Sequence, residues 1–143
     1  MHELLIHRLD PDLPLPRTEY PGDAGLDLRA RADVQIEPGQ RLRIPTGIAI
    51  ALPPGLVGLI HPRSGMATKF GFTLLNAPGT IDAGFRGEIS VIGHNTDPFT
   101  VISISRGDRI AQLVIQEIPE IRIVEVERLP GSVRSEQGFG SSG

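Results

Sequence analysis

The 143-residue chain contains no cysteine, which excludes disulfides, thiolate metal sites and thiol nucleophiles. It also lacks a long apolar run. The opening residues, Met1-His2-Glu3-Leu4-Leu5-Ile6-His7-Arg8, do not read as a signal peptide, and no later stretch is apolar enough to span a bilayer. A cytoplasmic protein without a membrane partner is expected. Positive charge is scarce too: 14 Lys and Arg against 17 Asp and Glu give a net charge of -3. That balance argues against a general nucleic-acid binder, so any bound anion must be held by local arginines and backbone N–H groups. The histidines at positions 2, 7, 61 and 94 match no metal-ligand spacing, and no zinc site is expected. The phosphate-loop, G-x-S-x-G and Rossmann signatures are all missing.

What the chain has is turns. Its 17 glycines and 13 prolines separate short apolar runs along the whole length, the pattern of many short strands. Strands are predicted at Leu4–Leu9, Leu26–Arg29, Val34–Glu37, Arg41–Leu52 (with an edge or bulge at Pro45), Leu56–Ile60, Phe72–Leu75, Val101–Ser105 and Ile110–Ile118. A further strand is expected over Ile121–Glu127, bulged where the apolar phase switches between Ile123 and Val124. The one helix candidate is Ser64–Phe70, with Ser64 as its N-cap. The fold class is all-β, a jelly-roll-like barrel or sandwich, with a domain over 1–130 and a mobile, glycine-rich tail over 131–143.

Five segments carry polar residues that a core alone does not require. Gly79-Thr80-Ile81-Asp82-Ala83-Gly84-Phe85-Arg86-Gly87-Glu88 reads as a glycine-permitted hairpin with one acid and one aromatic at its mouth. Asp82 there is either ordinary turn chemistry or a base able to take a proton from water. In Ala24-Gly25-Leu26-Asp27-Leu28, Asp27 by itself reads as a solvent-facing strand residue. Pro62-Arg63-Ser64-Gly65 opens the helix, either as plain capping or as a phosphate seat of N–H groups, arginine and hydroxyl. In Arg106-Gly107-Asp108-Arg109-Ile110-Ala111-Gln112-Leu113 the tripeptide reads as a hairpin turn, and Gln112 is polar on an apolar strand. The tail pairs Arg134 with Gly138-Phe139-Gly140-Ser141-Ser142-Gly143, a segment suited to closing over a flat ring and a phosphate.

Together these five segments, in this order and over essentially the whole chain, resemble the trimeric dUTP pyrophosphatases, in their bacterial form. The resemblance implies a homotrimer of jelly-roll subunits whose three active sites are each built from all three chains. It implies Mg2+-assisted hydrolysis of dUTP to dUMP and pyrophosphate, which keeps uracil out of DNA and supplies dUMP for dTMP synthesis. On that mapping Asn76 and backbone groups near Thr80, Ile81 and Ser90 read the uracil, and Asp82 is the general base. Arg63, Ser64, Gly65 and Gln112 hold the phosphates, and Asp27 reaches Mg2+ through water. Phe139, Gly140 and Ser141 lie in the closing motif, with Phe139 capping the uracil and Arg134 clamping the terminal phosphate. One position departs from the pattern: Phe85 stands where the family usually has tyrosine, so the ring that excludes a ribose 2′-OH is kept while its hydroxyl is lost.

Overall fold

The alternation of apolar residues produces ten strands among residues 1–140, the part of the chain that the computed structural model describes. They are β1 (Leu5–Arg8), β2 (Gly25–Arg29), β3 (Val34–Ile36), β4 (Arg41–Ala51), β5 (Leu56–His61), β6 (Phe72–Leu74), β7 (Gly79–Ile81), β8 (Glu88–Asn95), β9 (Ile102–Ile104) and β10 (Arg109–Glu117). A helix, α1 (Ser64–Phe70), lies between β5 and β6. There are two four-stranded sheets, ordered β1-β4-β8-β6 and β2-β10-β5-β7, and a separate β3-β9 ribbon. All pairings are antiparallel, with order jumping between non-consecutive strands, as in a jelly roll.

Leu28, Ile44, Phe72, Ile89, Ile110 and Leu113 are fully buried in one cluster of side chains from both sheets. Each such side chain contributes about 1.5–3 kcal/mol by leaving water. The buried Asn95 is not an exception: its amide donates to the Ile36 and Thr100 carbonyls and its Oδ1 accepts the Asp97 N–H. The irregularity expected at Pro45 is present as a register shift between Pro45 and Ala49, with Gly47 at φ +75°. No described helix is long and apolar enough to cross a membrane.

Four expectations are corrected. The segment after residue 79 is no hairpin: β7 pairs only with β5, while β8 pairs with β4 and β6 in the opposite sheet. Residues 82–87 therefore cross from one sheet to the other. Glycines 79, 84 and 87 are not among the positive-φ residues, so they do not serve left-handed turns. Gly87 instead makes room, since a Cβ there would lie 2.8 Å from the Phe85 ring. The Arg106-Gly107-Asp108 turn likewise joins strands of different sheets, β9 pairing with β3 and β10 with β2 and β5. Finally, 121–127 forms no strand: Ile121, Ile123 and Val126 are exposed, and among the described residues no sheet edge meets them to supply ladder hydrogen bonds.

Candidate active site

Two strands and a helix start converge on the first part of the site. On β10, Gln112 stands opposite Asp27 of β2 on one side and His61 of β5 on the other. Past His61 the chain turns through Pro62 and Arg63 into α1. Arg63, not Ser64, is the N-cap residue, extended at φ -99° and ψ 130° and making no side-chain cap bond. Its guanidinium turns away to Asp27, Nε donating to Oδ1 at 3.1 Å. Ser64 is thus the first helical residue rather than the expected cap, and its exposed hydroxyl has no protein partner among the described residues.

These groups line a cavity of about 550 Å³ whose walls include Asp27, Arg63, Ser64, Gly65 and Gln112. The structure adds Arg109, Glu19 and Asp23, which the sequence reading missed. Arg109 Nη1 donates to Asp27 Oδ2 at 3.3 Å and to Glu19 Oε2 at 3.0 Å. Arg109 and Gln112 are three residues apart and would face opposite ways on a regular strand. The register shift between Arg109 and Ala111 brings both to the cavity. No motif in the sequence announced that bulge.

Gly25 keeps Gln112 in place. A Cβ at position 25 would lie 2.2 Å from Gln112 Oε1, the mobile end of a side chain whose Nε2 donates to the Pro62 carbonyl at 3.0 Å. Gly25→Ala is expected to displace this amide and raise the KM for a triphosphate about tenfold, the equivalent of one lost hydrogen bond. Steady-state kinetics check this, and an unchanged KM would detach Gln112 from phosphate binding.

The second part is a narrow slot of about 60 Å³ between β7 and β8, lined by Asn76, Gly79, Thr80, Ile81 and Ser90 with Ile60, Leu74 and Val91 behind. It is the size of a planar edge, not of a nucleotide. The crossing segment follows directly. Asp82 begins a turn in which its carbonyl accepts the Phe85 N–H at 3.0 Å. Its carboxylate makes no hydrogen bond or ion pair among the described residues, so side-chain turn chemistry does not account for it. Phe85 is 42% exposed.

The residues expected in one site thus fall into separate groups within one chain. The cavity and the slot share no lining residue, and Asp82 and Phe85 line neither. The tail is a third group. Arg134 Nε donates to the Gln137 carbonyl at 2.7 Å, and Phe139 projects into solvent. Ser135 at φ 51° and Phe139 at φ 39° take left-handed backbones, which glycine would adopt at lower cost. Ser141 lies outside the described residues. The turn at Arg106-Gly107-Asp108 is not presented for binding: Arg106 Nη2 pairs with Asp10 at 2.9 Å and Asp108 accepts the Ser105 N–H.

Fold and cavity define a jelly-roll β protein with a polar cavity lined by both arginines and carboxylates. Residues 12–143 match the profile of the dUTPase family. The chain is 59% identical over 138 residues to a deoxyuridine 5′-triphosphate nucleotidohydrolase of Thermobifida fusca, covering 96% of this chain and 77% of that protein. A protein of the same name from Corynebacterium glutamicum is 57% identical, covering 96% of this chain and 93% of its own. The structure of Staphylococcus bacteriophage 80alpha dUTPase with dUPNHPP matches at a TM-score of 0.93 and 29% identity, over 100% of this chain and 99% of that one. A mutant dUTPase of S. aureus phage phi11, described for its coordination of a structural Mg(II) ion, matches at a TM-score of 0.82 and 26% identity, over 88% and 97% of the two chains. The chain belongs to the dUTPase family.

Proposed function

We propose that this chain hydrolyses dUTP to dUMP and pyrophosphate, with Asp82 taking the proton of a water that attacks the α-phosphorus. The observation that carries the assignment is the unpartnered Asp82 carboxylate one residue beyond the Thr80–Ile81 slot. Uracil enters the slot edge-on, where Asn76 and backbone groups of Thr80, Ile81 and Ser90 complement its donors and acceptors. Cytosine would leave some of those groups unpaired, and thymine would bring a methyl group that so small a space does not admit. The triphosphate lies along Arg63, Ser64, Gly65 and Gln112 in the larger cavity. The new O–P bond forms as the α–β bridging bond breaks, pyrophosphate leaves, and Asp82 holds the proton. Positioning and charge neutralisation supply most of the acceleration.

Mg2+ fits this site in one way. The described residues contain no cluster of three or more His, Asp or Glu able to hold a metal, and Asp27 is already bonded to two arginines. A carboxylate so engaged suits an outer-sphere contact, accepting a hydrogen bond from a metal-bound water. When bound, Mg2+ would neutralise charge on the triphosphate. The cavity needs that help, since Glu19, Asp23 and Asp27 outnumber Arg63 and Arg109.

The active enzyme is a homotrimer in which each site takes groups from all three chains. The separation of cavity, slot and tail within one chain supports this, as does the exposed apolar arm of Ile121, Ile123, Val126 and Leu129. The tail over 131–143 closes on the bound nucleotide, Phe139 over the uracil and Arg134 on the terminal phosphate. The enzyme works in the cytoplasm, where it removes dUTP from the DNA precursor pool and yields dUMP for dTMP synthesis.

Ion-exchange analysis of products tests this, with Mg2+ and separately dUTP, UTP, dCTP or dTTP. Conversion of dUTP alone to dUMP and pyrophosphate is expected. Consumption of dCTP would point instead to a deaminase on the same fold, and dUTP bound without turnover to a binding module. UTP is expected to be rejected, because the Phe85 ring retains the wall against a 2′-OH. Comparable turnover of UTP and dUTP would show that a tyrosine hydroxyl at this position is required.

A further inference from the structure

The segment that carries Asp82 has two roots, and they are secured differently. On the upstream side β7 is laddered to β5 by Gly79, Thr80 and Ile81. On the downstream side β8 begins at Glu88, where the β4 ladder is interrupted: registered pairs run from Arg41 to Pro45, break, and resume only at Ala49 opposite Glu88. The break leaves Gly47, at φ +75°, with an N–H that the ladder does not use. Glu88 Oε1 accepts that N–H at 2.9 Å, and the same oxygen accepts Arg31 Nη1 at 2.9 Å. Arg31 is braced in turn by Asp10, 3.8 Å from its Nε, and by the Leu9 carbonyl. Asp10 is held by Arg106 at 2.9 Å. A side chain at position 47 would be strained, since φ is +75° and a Cβ there would lie 2.9 Å from that of Asp10.

We propose that Glu88 and Arg31 are positioning residues for the reaction: they pin the downstream root of the 82–87 segment to the β4 bulge and thereby fix where Asp82 points. The proposal rests on the reading of Asp82 as the base. Neither side chain lines the cavity or the slot, and Glu88 acts through the backbone of the segment it ends. From Ser90 onward β8 has its own ladder to β4, and Ile89 is fully buried with its carbonyl accepting the Thr46 hydroxyl, so loosening Glu88 shifts the Asp82 turn and leaves Ser90 in the slot. The signature is a loss in kcat with little change in KM, because uracil and phosphate contacts stay and only the attacking geometry degrades.

The test is Glu88→Ala assayed beside Asp82→Asn in the full-length enzyme with dUTP and Mg2+, with kcat referred to the folded fraction read by circular dichroism. Glu88→Ala is expected to lower kcat about 10- to 100-fold, with KM within about threefold of the parent. A purely structural role would lower the folded fraction and leave kcat per folded enzyme unchanged, which would overturn the proposal. If Glu88→Ala does not fold, Arg31→Met decides, because it removes the ion pair and leaves the Gly47–Glu88 bond. A fall in its kcat of about three- to tenfold at constant KM supports the proposal, and parental kcat overturns it. An active Asp82→Asn would remove the base assignment and this proposal with it. An inactive Asp82→Asn beside a Glu88→Ala of parental kcat would remove the proposal alone.

Discussion

Asp82→Asn is expected to lower kcat for dUTP by about 10²- to 10⁴-fold, the range a positioned general base contributes. The fold should be untouched, since the carboxylate makes no hydrogen bond or ion pair among the described residues and is exposed. Nucleotide binding should also persist, because the contacts proposed to uracil involve Asn76, Thr80, Ile81 and Ser90 and those proposed to phosphate involve Arg63, Ser64, Gly65 and Gln112, none of which is altered. Asparagine keeps the size and an acceptor oxygen but cannot take the proton. Kinetics paired with calorimetric titration of a non-hydrolysable dUTP analogue separate the two effects. A variant that turns over dUTP near the parental rate would show that another group accepts the proton.

Deleting residues 134–143 is expected to leave a folded trimer whose kcat is reduced about a thousandfold. The described part of this segment takes part in no strand or helix, and Phe139 buries nothing within the chain. Its removal therefore costs the core nothing. On the proposed closure, what would be lost is the cation of Arg134 beside a cavity in which carboxylates outnumber arginines, and the Phe139 ring over the uracil. The oligomeric state by light scattering and the turnover rate together check this. A truncated trimer working at the parental rate would refute the closing role of the tail.

The physical reasons why some of this was legible in the sequence, and some not, differ by element. Strands announced themselves by short alternating apolar runs, and those at Val34–Ile36 and Ile102–Ile104 end in buried isoleucines; Glu88–Asn95, which alternates half-buried and buried along its whole length, was not read as a strand of its own. Pairing was not legible. The crossing at 82–87 looks like a hairpin because glycine and Asp are common turn residues, while sheet membership is decided by distant partners. The strand expected at 121–127 has the composition of a strand and no strand neighbour among the described residues. Among the residues singled out in the sequence, Arg63, Ser64, Gly65 and Gln112 line one cavity with Asp27. Arg109 was hidden because its orientation depends on a bulge, and the anchoring of Glu88 on Gly47 was hidden because it depends on a second one. Irregularities of this kind leave weak marks in a sequence and strong ones in a ladder.

The measurement that reaches the central claim most directly is turnover of dUTP in water enriched in oxygen-18, followed by mass spectrometry of both products. Attack of an Asp82-activated water on the α-phosphorus puts one labelled oxygen into dUMP and none into pyrophosphate. Label in the pyrophosphate, with unlabelled dUMP, would place the attack on the β-phosphorus and contradict the geometry assigned to Asp82.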